Sequence, residues 1–92
     1  MMVIRPHLGE VEVDGRTIEV TPWQLRFVLG LVEGGGGFCR PDGFNGNDAK
    51  VVAYRLKRRG VPVISRYGYG YRLRWPATVE GATSKQAITA DI

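Results

Sequence analysis

Residues 21–37 constrain the fold more than any other part of the chain. Thr21-Pro22-Trp23-Gln24 is a helix start: the Thr hydroxyl can accept from the amide three residues on, Pro fits the first helical position, and Gln24 completes a capping box. Leu25, Val28, Leu29 and Val32 then recur at i, i+3, i+4 and i+7, and Trp23, Phe27 and Leu31 widen the stripe. A helix apolar over more than half its circumference belongs at the centre of its domain. Gly34-Gly35-Gly36-Gly37 ends it, because consecutive glycines offer a C-cap and a high backbone entropy. Everything else in a chain of 92 residues has to pack around this helix.

Before the helix, Val11 and Val13 alternate with Glu10 and Glu12, and Ile18 and Val20 with Thr17 and Glu19, on either side of Asp14-Gly15. Period-two alternation about Asp-Gly predicts a β-hairpin with one apolar and one acidic face. After the helix, Phe38 to Gly46 holds a Pro41-Asp42-Gly43 turn and room for no more than one helical turn near Phe44. A second long helix is predicted from Asn47 or Asp48, either of which can cap it, to Arg59, where Gly60 and Pro62 stop it. Ala49, Val52, Ala53 and Leu56 form its core stripe. Asn47, Lys50, Val51, Tyr54, Arg55 and Arg58 lie on the opposite arc. Val61–Ile64 and Tyr71–Trp75 read as two strands joined across Arg66-Tyr-Gly-Tyr-Gly70, with Tyr71, Leu73 and Trp75 on one face and Arg72 and Arg74 on the other. Residues 1–75 are thus expected to form one domain, and residues 76–92, without periodicity, a flexible tail.

Charge separates these parts. Residues 47–75 carry eight Lys or Arg (Lys50, Arg55, Lys57, Arg58, Arg59, Arg66, Arg72, Arg74) against Asp48 alone, a local +7 in a chain whose total is +4. The remainder therefore sums to −3. Cations concentrated on one helix and one hairpin, with few acids among them, are what a phosphate-binding surface requires. Tyr54, Val51 and Asn47 on the outer arc can meet base edges or a thymine methyl while flanking Lys and Arg hold phosphates. Arg66, Arg72 and Arg74 can flank a backbone or enter a minor groove, and Tyr67 and Tyr69 at the tip can stack or donate to phosphate. Tyr71 is expected at or near the core.

Other chemistries find less support. Gly68-Tyr69-Gly70-Tyr71 joins two strands, whereas a nucleotide-binding glycine loop follows a strand and opens a helix, so no phosphate cofactor is expected. One Cys and one His make neither a disulfide nor a structural zinc site. Cys39 reads as a small hydrophobe, His7 as a surface or strand-end residue. No nucleophile, base and orienter set or paired carboxylates suggest an enzyme. The apolar runs fall far short of the ~20 residues of a membrane span. Met1-Met2-Val-Ile-Arg lacks the apolar stretch of a signal peptide, so a cytoplasmic setting without membrane contact is expected.

Three segments in order resemble the C-terminal effector domain of the OmpR/PhoB family of winged helix-turn-helix regulators. Val20-Thr-Pro-Trp-Gln-Leu-Arg-Phe-Val-Leu-Gly-Leu31 is similar to its core helix, with Gln24 where Glu is usual. Ala49-Lys-Val-Val-Ala-Tyr-Arg-Leu-Lys-Arg-Arg59 resembles its recognition helix, and Val63-Ile-Ser-Arg-Tyr-Gly-Tyr-Gly-Tyr-Arg-Leu73 its wing. The resemblance implies an α+β winged helix that binds double-stranded DNA and regulates transcription. Asn47, Asp48, Lys50, Val51, Tyr54 and Arg55 would face the major groove, Lys57 and Tyr71 the backbone, and the wing tip the minor groove. It also implies two copies on DNA, in a bacterial or phage setting. The departures are specific. Lys50 replaces an acid, Tyr67 stands at the wing-arginine position with Arg66 one residue earlier, and the connector between the helices is short. No receiver domain is expected, and the N-terminal sheet is expected to have about two strands. Two alternatives share the surface: a winged helix docking on RNA polymerase or a host regulator, and an excisionase-like architectural DNA-binding protein.

Overall fold

The computed structural model describes residues 1–81. Around Asp14-Gly15 the chain folds back as the alternation requires. Strands β2 (Glu10–Val13) and β3 (Arg16–Glu19) pair antiparallel with Val13 opposite Arg16. Asp14 and Gly15 take φ of 50° and 83°, the two positive values that a type I′ turn demands. Val11, Val13 and Ile18 turn inward and are buried, which leaves Glu10, Glu12 and Glu19 on the outer face.

The sheet is larger than expected. Strand β1 (Met2–Arg5) pairs antiparallel with β2, and β6 (Ala77–Val79) pairs parallel with β1, giving the order β3-β2-β1-β6. Met2 and Ile4 are completely buried. The domain boundary at residue 75 is therefore corrected: the folded unit runs through β6, and of the expected tail residues 82–92 lie outside the described residues. Arg5 fastens this late strand. Its Nε donates to Glu80 Oε1 at 3.0 Å and its Nη2 to Glu12 Oε1 at 2.8 Å, with Glu10 at 3.6 Å. The hydrogen bonds that Glu12 and then Glu80 accept from it raise the already high guanidinium pKa.

Helix α1 (Pro22–Glu33) starts as its sequence dictates. Thr21 Oγ1 accepts from the Gln24 amide at 3.1 Å, and Gln24 Oε1 accepts from the Thr21 amide at 3.0 Å. Gln24, Phe27, Val28 and Leu31 are its buried side chains, while Leu25, Leu29 and Val32 are only partly covered. Trp23 lies at the margin, one face stacked on Phe44 at 5.4 Å. The central stripe is thus rotated towards Phe27 relative to the expected one, and Leu25 and Leu29 border an open hollow beside Pro41 of the returning connector. Gly30 and Gly34, one turn apart, make that return path. A Cβ at Gly30 would stand 2.6 Å from Pro41 Cβ, and one at Gly34 2.7 Å from Cys39 Sγ.

No helix forms between residues 34 and 45. The connector instead makes a turn at Pro41-Asp42-Gly43 and drives Phe44 into the core, edge-on to Phe27 at 5.1 Å. Helix α2 (Gly46–Arg59) then begins earlier than expected. Its cap is Asn45, whose Oδ1 accepts from the Asp48 amide at 2.8 Å, so neither Asn47 nor Asp48 is the cap. Ala49, Val52, Ala53 and Leu56 are buried, as the stripe requires. Asp48 in the first turn and Lys57, Arg58 and Arg59 in the last complement the helix dipole. Gly60 ends the helix at a φ of 102°.

Strands β4 (Val63–Arg66) and β5 (Gly70–Leu73) form a separate antiparallel hairpin. It is shifted from the expected spans: β4 reaches to Arg66, and Arg74-Trp75 leave it as a bend that leads to β6. The hairpin packs on both helices, with Val63 and Leu73 closing the core and Tyr71 edge-on to Phe27 at 5.6 Å. The whole is an α+β fold with two helices and six strands in two sheets among the described residues.

Candidate nucleic-acid interface

Burying Ala49, Val52, Ala53 and Leu56 forces the polar arc of α2 outward, beside the protruding β4–β5 hairpin. A groove of about 1210 Å³ lies between them. From α2 it takes Asn47, Lys50, Val51, Tyr54, Arg55 and Lys57; from the hairpin it takes Ser65 through Tyr71. Arg40 of the connector closes one end. Arg40, Lys50, Arg55, Lys57 and Arg66 therefore line one concavity, and no Asp or Glu lines it. All four tyrosines of the chain are there too. Tyr71 is half-buried against Phe27, whereas Tyr54, Tyr69 and Tyr67 are 59%, 64% and 102% exposed.

Two contacts link the walls of the groove to their neighbours. Lys57 Nζ donates to the Ser65 hydroxyl and ties the last turn of α2 to β4. On its far edge β5 is braced by the connector: Cys39 and Tyr71 exchange both backbone hydrogen bonds, at 2.9 and 2.8 Å. Gly70 is what lets the two chains come so close. A Cβ there would lie 2.6 Å from the Cys39 carbonyl oxygen, and the φ of 109° already suits glycine. Cys39 itself is half-buried, and burial pushes its thiol pKa up, which favours the protonated form.

Ten of the fourteen residues singled out from sequence line this groove: Asn47, Lys50, Val51, Tyr54, Arg55, Lys57, Arg66, Tyr67, Tyr69 and Tyr71. Four do not. Asp48 is half-buried in the first turn of α2. Arg58 lies back along the helix, its Nη1 donating to Tyr54 Oη at 3.2 Å and its guanidinium 5.8 Å from that ring. Arg72 and Arg74 border a different hollow of about 300 Å³, beside Leu31, Val32 and Trp75. The pairing explains the separation: Ser65 opposite Tyr71 faces α2, whereas Arg72, opposite Ile64, faces away. Arg72 stacks over Phe38 at 5.3 Å and bonds the Leu73 carbonyl.

Sequence reasoning missed Arg40, Ser65 and Phe38. Arg40 is the one basic residue between the two helices, and that isolation was its only signal. Phe38 gains its place from the glycines before it, which carry it onto the hairpin. It lies 5.3 Å from Arg72 and 6.0 Å from Arg66.

Among the described residues, no three His, Cys, Asp or Glu come together to hold a metal ion, and no helix is long and apolar enough to cross a membrane. His7 is exposed in a 3-10 turn (Pro6–Leu8) near the end of the sheet. Comparison with protein-family models, curated proteins and solved structures found no match to the chain.

Proposed function

We propose that this chain is a winged-helix module that binds double-stranded DNA sequence-specifically and regulates transcription. The observation that carries the reading is the acid-free groove, with five cations and four tyrosines between an outward helix and a hairpin tip. Helix α2 has fourteen residues, hence a length of about 21 Å, and a diameter that fits a major groove about 12 Å wide. In that position Asn47, Val51 and Tyr54 reach base edges, and Lys50, Arg55 and Lys57 reach phosphates on either side. The β4–β5 hairpin acts as the wing, lying over the adjacent backbone and minor groove. The connector does the work of the missing middle helix: Phe44 fills the space under α2, and Arg40 adds a cation at the groove's end. Two copies on adjacent half-sites would accord with this geometry.

Selection from a random duplex library tests the proposal. A sharp enriched motif, lost in the Lys50/Tyr54/Arg55 triple alanine variant, supports it. Unchanged binding by that variant sinks the surface. A diffuse motif supports an architectural, excisionase-like protein instead. The exposed Trp23 and the absence of a middle helix favour a second reading, in which the chain docks on RNA polymerase or a host regulator. A partner that survives nuclease and high salt would support that one.

A further inference from the structure

The tip of the β4–β5 hairpin does not present its cations. Arg66 is drawn back onto the Tyr69 ring, 4.9 Å from its centre, and towards Phe38 at 6.0 Å. Tyr69 leans on Phe38 at 6.4 Å. What projects instead is Tyr67, fully exposed at the turn, beside a Gly68 whose missing Cβ would meet nothing within 4 Å. An aromatic ring held wholly in water gains by leaving it, and its hydroxyl needs only one polar partner. The mount of the tip is stiff, because the Cys39–Tyr71 bridge braces one strand and the Lys57–Ser65 bond the other.

We infer that Tyr67 is a wedge: its ring enters between two base pairs from the minor groove, unstacks that step and bends the duplex towards the major groove. Inserted side chains on this principle are apolar and sit on rigid supports, and they kink DNA at the step they open. Here the phenol supplies the ring, and its hydroxyl, para to the Cβ, is the leading edge that enters the opened step. Flexible pyrimidine–purine steps open most readily, so the wedge adds sequence preference at a position that α2 never touches. The inference rests on the duplex-DNA reading above.

The test uses the full chain and duplexes enriched by the selection, carrying donor and acceptor dyes at their ends. Wild-type protein at saturation should raise energy transfer, and Tyr67→Phe should do the same. Tyr67→Ala should return energy transfer to that of free DNA, with affinity lowered by no more than about tenfold, since the phosphate contacts remain. Because Tyr67 touches no core residue, the alanine variant should unfold with the wild-type midpoint. Bound DNA that stays straight with wild-type protein, or that bends equally with Tyr67→Ala, overturns the wedge and leaves the DNA reading intact. Absence of any DNA binding overturns both.

Discussion

Single residues carry two of the fold's least forgiving contacts. Gly70 meets the Cys39 backbone where a side chain would stand 2.6 Å from a carbonyl oxygen, at a φ of 109°. Backbone cannot swing aside as a flexible side chain can. Gly70→Ala should therefore cost about 1–3 kcal/mol in chemical denaturation and loosen the hairpin's brace. Gly68→Ala, with open space around it, should cost less. A Gly70 variant as stable as the parent would deny the close approach. Phe44 is the second case: it is buried between Trp23 and Phe27 in a segment without regular structure. Phe44→Ala should lose about 3–5 kcal/mol, read from the unfolding midpoint. Neither contact was legible in the sequence. A glycine next to a tyrosine reads as a turn residue, and the strand that crowds it lies thirty residues away along the chain. Phe44 sat in a segment whose spacing matched no period, although its burial is complete for practical purposes.

Elements were more legible than their ends. The Asp14-Gly15 hairpin and the Thr21 capping box are local chemistry, and both formed where their residues said. The start of α2 was misjudged, because Asn45, Asn47 and Asp48 can all cap a helix and Gly46 looks like a residue to leave outside one. What decides is Phe44: once its ring is buried, the next residue is the one placed to cap. Asn45→Ala should thus cost about 1 kcal/mol, whereas Asn47→Ala should stay within about 0.5 kcal/mol in stability. The reverse order, measured by urea denaturation, would move the cap back to Asn47. Strands β1 and β6 escaped notice for a different reason. Four and three residues are too short to show a period; β1 is a strand because β2 lies beside it, and β6 because β1 does.

At the scale of the molecule, charge is divided between two faces. Glu10, Glu12 and Glu19 stand on the outer side of the four-stranded sheet, while the groove of α2 and the hairpin collects cations. Sequence counting found this division correctly. It could not tell that Arg72 and Arg74 belong to a third surface, since that depends on the register of β4 against β5. If Arg40, Lys50, Arg55 and Lys57 each meet a phosphate while Arg66 stays on Tyr69, the logarithm of the binding constant should fall with that of salt at a slope of about −3.6. Arg55→Ala should flatten that slope by about one, and Arg74→Ala should leave it unchanged. Equal effects of the two would place the nucleic acid elsewhere. A chain cut after Trp75 should lose about 1–3 kcal/mol against one that retains β6, because β1 forfeits its parallel partner and Arg5 its bond to Glu80.

The parallel pairing of β6 with β1 also bears on how the molecule is made. Met2 is opposite Ala77 and Ile4 opposite Val79, so β1 leaves the ribosome well before the strand it pairs with. During that interval the hairpin β2–β3 and both helices can form, but β1 offers one unsatisfied edge bearing Met2, Val3 and Ile4. Open apolar edges pair readily with other chains. Translation that stalls after the β4–β5 hairpin would leave a nascent protein with its groove already shaped and its sheet still adhesive. Pairing of β6 is what removes that open edge of β1.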